Sequence, residues 1–178
     1  TGVFELYYLD LSTGLRRGEL LGLKWNDINF ETRMLEVKRQ IQRVNGVIQE
    51  TAPKTHNAYR KILLSAEAAE ILRQYREQQK VKSEYVFSSP TGGVMEPDCA
   101  RKMLKRVLQR AGLDELRFHD LRHTFATLAL QNGVDVKTLS GILGHYSAGF
   151  TLDTYTHITN DMQRGAAEKI GGFMETAT

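Results

Sequence analysis

Apolar residues recur at helical spacing where the chain begins. Val3, Leu6, Tyr7 and Leu11 fall on one face and predict an opening helix. Leu20, Leu21 and Leu23 predict a second, shorter helix within Leu15–Leu23, opened by Thr13-Gly14 and closed near Gly22. After Trp25 the period changes to two. Ile28, Phe30, Leu35, Val37, Arg39, Ile41 and Arg43 alternate, and Asn45-Gly46, a pair that tolerates positive φ, predicts a tight hairpin returning through Val47-Ile48. With a further strand at Arg60–Leu64, this region is expected to form a small antiparallel β element with Lys54 near its rim.

Helical spacing returns beyond Ser65. A helix over Ala66–Gln79 begins behind the Ser65 cap, and Pro97 is a first-turn proline for a helix over Asp98–Ala111 that stops at Gly112. In the latter, Ala100, Met103, Leu104, Val107, Leu108 and Ala111 form the apolar stripe and basic residues fill the opposite face. Phe118–Asn132 reads as a buried helix ended by Gly133, Asp135 caps Val136–Leu143, and a short helix carries Tyr155. Asn160 and Gln163 form a capping box for the last helix. The fold class predicted is α+β, mainly α, with a small antiparallel sheet.

Composition narrows the field. The chain has 178 residues, which suits one domain spanning 1–178 at roughly 100–200 residues per domain. The single cysteine, Cys99, cannot close an internal disulfide, which points to a reducing, cytoplasmic setting. No apolar run approaches the ~18 residues of a membrane span, so no membrane partner is expected. The first residue is Thr1 rather than Met and lies just ahead of a helix, so an upstream domain is expected to be missing.

The charge balance, 24 Lys+Arg against 21 Asp+Glu, says little until its distribution is considered. Between Arg33 and Lys61 the bases Arg33, Lys38, Arg39, Arg43, Lys54, Arg60 and Lys61 outnumber the acids Glu36 and Glu50. Arg101, Lys102, Lys105, Arg106 and Arg110 follow one another with no acid between them. Such clustering is the footprint of a phosphate-backbone binder, although the second run also fits a merely solvated helix face.

The chemistry-bearing stretch is Phe118-His119-Asp120-Leu121-Arg122-His123. His119 and His123, one helical turn apart with Asp120 between them, imitate a zinc-hydrolase pattern. That reading needs a third ligand from His145 or His157 and leaves Arg122 idle. In the competing reading His119 and Arg122 share a helix face and address a phosphate, one moving a proton and the other pairing two oxygens through its planar fork. A third possibility is a helix start with Asp120 in its first turn and its His and Arg merely surface-paired. Tyr7, Tyr8, Trp25 and Phe125 read as core, Arg17 as a DNA-backbone or ion-pair residue, and Glu19 and Asp120 as orienting partners.

Further motifs stand in order along the chain: Thr13-Gly14-Leu15-Arg16-Arg17-Gly18-Glu19-Leu20, Pro53-Lys54-Thr55, His119-Asp120-Leu121-Arg122-His123, Leu143-Gly144-His145, and Thr151-Leu152-Asp153-Thr154-Tyr155-Thr156-His157. The series resembles the catalytic domain of the tyrosine recombinases, the integrases of phages and conjugative transposons. The resemblance runs from Thr13 to the last predicted helix. It implies the DNA breaking-rejoining fold and a catalytic set of Arg16, Lys54, His119, Arg122, His145 and Tyr155, with no cofactor and no metal. By the same resemblance, an N-terminal DNA-clamping domain is the missing piece.

Transesterification at a DNA phosphodiester without a metal requires preplaced cations and donors around a five-coordinate phosphorus. Arg16 and Arg122 meet that need, and the two histidines are expected to add positive charge. Tyr155 is the implied nucleophile, His119 the candidate base, Lys54 the acid for the leaving 5′ oxygen, and His145 a further donor. The implied partner is double-stranded DNA. The working complex would be a tetramer that exchanges C-terminal segments, with Asn160–Gly171, Phe173 and Met174 as the exchange element. A monomer is expected without DNA. Rival expectations are a type IB topoisomerase-like relaxing activity, a non-catalytic DNA-binding domain of the same fold, and a metal-dependent hydrolase.

Overall fold

The computed structural model describes residues 2–53, 58–145, 147–155 and 167. Its elements follow the predicted order. Helix α1 (Val3–Thr13) is followed by the short α2 (Arg17–Leu21) and a 3-10 turn at Trp25–Asp27. Strands β1 (Ile28–Asn29), β2 (Met34–Val37), β3 (Gln40–Val44), β4 (Val47–Thr51) and β5 (Arg60–Leu63) come next. Helices α3 (Ala66–Gln78), α4 (Pro97–Ala111), α5 (Phe118–Gln131), α6 (Val136–Leu143) and α7 (Ala148–Thr154) complete the described chain.

Local signals account for most boundaries. The Ser65 hydroxyl caps α3 by accepting from the Ala68 amide, and Asp135 caps α6 by accepting from Thr138. Gly112 ends α4 in the left-handed region. Asn45 and Gly46 both take positive φ in the hairpin between β3 and β4, as a two-residue turn of that hand requires. Tyr155 is not inside α7 but caps its C-terminus.

The β region differs from the single element expected. It forms two sheets, a three-stranded one in the order β1-β2-β5 and the separate hairpin β3-β4, both antiparallel. Period two persists across Lys38 and Arg39, but these residues leave the ladder: Lys38 reaches Glu36 and Asp27, while Arg39 reaches Asp27 and Glu50. Alternation records which way side chains point, not where pairing stops.

The main core joins α1, α2, β2, β5, α3 and α4 through Leu6, Leu9, Leu20, Leu35, Ile62, Leu72, Phe87 and Leu104. Tyr7 and Trp25 are buried in it, and Tyr8 packs against it. A smaller cluster of Ala126, Leu130, Leu139, Leu143 and Tyr155 sits between α5, α6 and the end of α7, with Phe125 against it. The α4 stripe is narrower than predicted, since Ala100, Leu104 and Leu108 are buried whereas Val107 and Ala111 are exposed. Among the described residues no helix is long and apolar enough to cross a membrane.

Candidate active site

The site is built on helix ends. Gly14 terminates α1 at φ 61°, and a Cβ there would come within 2.3 Å of the Phe125 ring and 2.9 Å of Leu143. Only glycine satisfies both the backbone angle and the close approach. Its carbonyl accepts from Arg122 Nη1 at 2.6 Å, and Leu143 O, at the C-terminus of α6, accepts from Nη2 at 2.7 Å. Arg16 Nη2 donates to the Gly144 carbonyl at 3.2 Å. Both guanidinium groups are therefore fixed by carbonyls at helix C-termini, where the backbone carries partial negative charge.

Arg122 is only 3% exposed, and its acceptors are neutral. Burial, then the nearby Arg16, pull its guanidinium down to about 10. Asp10, fully buried beneath, supplies little compensation: burial pushes its carboxyl well above the ordinary range, favouring the neutral form, and neither oxygen has a hydrogen-bond partner among the described residues.

Arg16 caps α2 and is held by Glu19 in a capping box, with its amide 2.9 Å from Oε2 and its Nη1 2.9 Å from Oε1. Glu19 also accepts from Arg60 on β5, whose Nε donates in turn to the Ile142 carbonyl. Arg60 thus ties β5 to α2 and α6. The orienting part expected of Glu19 is present. Asp120 instead closes a capping box with Arg117, so its contacts belong to the start of α5 rather than to His119.

His145 Nδ1 lies 2.8 Å from the hydroxyl of the fully buried Thr151. With that hydroxyl donating to Nδ1, the ring carries its proton on Nε2 and keeps a donor for another acceptor. Burial, then Arg122, Arg16 and Arg60, push the His145 imidazole down to about 4. His119 is held below the ordinary histidine range by partial burial, His123 and Arg122. Both shifts favour the neutral imidazole over the positive charge expected of these histidines. The charge comes from the arginines, and the imidazoles are poised as neutral donors and acceptors.

Tyr155 is 4% exposed, and its hydroxyl meets His123 Nδ1 at 2.9 Å. His119 packs edge-on against His123, with ring centres 4.7 Å apart. Burial raises the Tyr155 hydroxyl above its ordinary value while Arg122 opposes the rise. A cleft of about 330 Å³ lined by Arg17, Arg101, Arg117, His119 and Arg122 opens beside these groups. Lys54, His56, His157 and the capping box at Asn160 and Gln163 lie outside the described residues.

Residues 5–162 match the model of the phage integrase family. The chain belongs to that family. It is 34% identical to a XerC-like tyrosine recombinase of Caldanaerobacter subterraneus subsp. tengcongensis, over 93% of this chain and 48% of the relative. It is 28% identical to the ICEBs1 integrase of Bacillus subtilis, over 94% of this chain and 48% of that one. The chain thus spans about half the length of these phage integrase relatives. The Tn1549 transposon integrase in complex with circular intermediate DNA superposes with a TM-score of 0.82 at 29% identity, covering 94% of this chain and 59% of that one. The XerH site-specific recombinase bound to palindromic difH substrate gives a TM-score of 0.68 at 27% identity, covering 93% and 44%.

Arg16 and Arg122 are both bonded to carbonyls at the end of α6, His145 and Tyr155 each feel the Arg122 charge, and His119 and Arg122 line the cleft. Two neighbours, Arg60 and His123, were not singled out for these roles from sequence. Arg60 was counted only as a base in a strand, and His123 only as half of a zinc pair. Among the described residues no cluster of three or more His, Cys, Asp or Glu side chains is arranged to hold a metal ion. The His119/His123 pair therefore has no third ligand there, and His123 is bonded to a phenol instead.

Proposed function

We propose that this chain is the catalytic domain of a site-specific DNA recombinase that integrates or excises a mobile element. It cuts one strand of double-stranded DNA to a 3′-phosphotyrosine at Tyr155 and releases a 5′-hydroxyl. The observation that carries the reading is the buried Arg122 guanidinium, anchored among the described residues by neutral carbonyls beside Arg16, which leaves a concentrated positive charge that Glu19 offsets only through space and to which no anion is hydrogen-bonded there. A phosphodiester supplies that anion. Charge then grows on phosphorus in the transition state, where preplaced donors act most strongly.

In this reading Arg16 and Arg122 hold the nonbridging oxygens, and His145 donates to the same phosphate. The proton of Tyr155 passes to the histidine pair on α5, and Lys54 protonates the leaving 5′ oxygen. The covalent intermediate conserves the bond energy, so a new partner strand can be joined without ATP. Because the arginines supply the cationic charge, no metal or other cofactor is required, and cleavage should proceed in EDTA. Arg17, Arg101 and Arg117 in the adjoining cleft suit neighbouring backbone phosphates.

Recombination takes two cuts in each of two duplexes, so the assembly proposed is a tetramer on DNA. The segment Asn160–Gly171 with Phe173 and Met174 would be exchanged between neighbours, and the protein would be monomeric without DNA. An N-terminal clamp domain would complete the protein. The exposed, unpaired Cys99 agrees with work in the cytoplasm.

A nicked suicide substrate tests the chemistry. The chain should form a covalent adduct that survives a denaturing gel, and Tyr155→Phe should bind the same DNA and form none. An adduct formed by Tyr155→Phe would remove Tyr155 from its role.

A further inference from the structure

Resting on the recombinase reading above, we infer that His123, rather than His119, is the base that takes the proton from Tyr155 during strand cleavage. The geometry singles it out: His123 Nδ1 lies 2.9 Å from the Tyr155 oxygen, within the reach that proton transfer demands. The two rings stand 5.9 Å apart at 61°, a tilted approach that leaves the phenol oxygen facing the imidazole edge. Tyr155 is buried in the small cluster between α5 and α6, so water is a poor substitute acceptor for its proton.

The surroundings fit this assignment. His119 stands edge-on to His123 and lines the arginine cleft, which places it on the phosphate side of the histidine pair. Asp120 on α5 is bonded to Arg117 and is not committed to either histidine. Arg122, the charged group felt by Tyr155, favours the phenolate as the proton leaves. A neutral His123 can accept at Nδ1 only with its own proton on Nε2.

The step balances. The hydroxyl proton moves to His123 Nδ1 while the Tyr155 oxygen bonds to phosphorus and the P–O5′ bond breaks. The leaving oxygen takes its proton from a separate acid, Lys54. In rejoining, the 5′-hydroxyl returns its proton to Lys54 as it attacks phosphorus, the bond from phosphorus to the Tyr155 oxygen breaks, and the phenol recovers its proton from the His123 imidazolium.

The test is single-turnover adduct formation on suicide DNA by the 178-residue chain, its His123→Asn variant and its His119→Gln variant. Each is made with tyrosine or with a fluorinated, more acidic tyrosine at position 155. Asparagine can keep an acceptor near the phenol but cannot take its proton. His123→Asn should therefore slow cleavage by roughly 100–10,000-fold without weakening DNA binding. The more acidic phenol should recover most of that loss. A near-normal rate for His123→Asn, or a loss unchanged by fluorination, would overturn the assignment. Recovery confined to His119→Gln would move the base to His119. An unaltered chain that forms no adduct at all would instead sink the recombinase reading itself.

Discussion

Glu19 closes on Arg60 through paired hydrogen bonds of 3.0 and 2.8 Å while it also holds Arg16, so one buried carboxylate aligns an arginine of the site and ties down the strand beside it. The two partners come from α2 and β5, far apart in sequence. The pair is dry, with both side chains almost wholly covered. Such a pair is costly to break from one side.

Arg60→Ala should accordingly lose ~3 kcal/mol of stability, the lower end for a broken buried pair because Arg16 remains on Glu19. Denaturant unfolding measures this. The pH dependence has a definite sign. The Arg60 and Arg16 contacts hold the Glu19 carboxyl below its ordinary value despite burial. Their stabilisation is therefore present above the unfolded carboxyl pKa and is lost as pH falls through the folded one. Arg60→Ala should show a shallower loss of stability on acidification than the parent; an equally steep one would mean that Glu19 is not what Arg60 serves.

Asp10 predicts the opposite slope. Burial raises its folded pKa, so the folded chain binds more protons than the unfolded chain as pH rises above the ordinary Asp value. Stability should decline across that window. Asp10→Asn should abolish this decline, whatever its effect on absolute stability. Unfolding of both proteins over a series of pH values decides, and parallel curves would show that Asp10 does not titrate in this way.

Much of this architecture was legible in sequence because its causes are local. Caps at Ser65 and Asp135, the Asn45-Gly46 turn and the glycine stops each act within a few residues. Ordered motifs single out Arg16, Arg122, His145 and Tyr155 as candidates. The split of the β region was not legible, since Lys38 and Arg39 leave the ladder for long-range partners while preserving period two. Arg60 was hidden for a similar reason: its strand position is local, but its partners lie on α2 and near the end of α6. His123 was visible as a residue and misleading as a pattern, because i, i+4 spacing does not say which external group a side chain meets.

Thr151→Val should separate His145 positioning from folding. Valine fills nearly the same buried volume but removes the hydroxyl beside Nδ1. The loss of one hydrogen bond costs about 0.5–1.5 kcal/mol of stability. Cleavage should fall by about tenfold, matching ~1.4 kcal/mol at the barrier, with DNA affinity retained. Single-turnover cleavage and DNA titration read the two effects; an unchanged rate would show that the hydroxyl does not set the His145 tautomer.

The proposed acid for the leaving oxygen, Lys54, has two rivals nearby in sequence, Lys38 and Lys61. Lys38 follows β2, Lys61 lies in β5, and both reach Glu36 at 2.7 Å. The Glu36 contact holds the Lys38 ammonium above its ordinary range, making it a poorer proton donor. Lys61 shares that carboxylate and follows Arg60 in β5, so its charge is already partnered at the strand surface. Lys54 follows Pro53 just beyond β4, in the position that the family pattern gives to the acid. Lys54→Ala should therefore lose roughly 100–10,000-fold in cleavage of ordinary DNA, as expected for an acid–base residue. Replacing the leaving 5′ oxygen with sulfur removes the need for a proton, so the same variant should cleave that substrate at nearly the parent rate. Lys38→Ala and Lys61→Ala should show neither the loss nor the selective recovery. If sulfur rescues one of them and not Lys54→Ala, the acid lies elsewhere on the β region while the arginine pocket keeps its role.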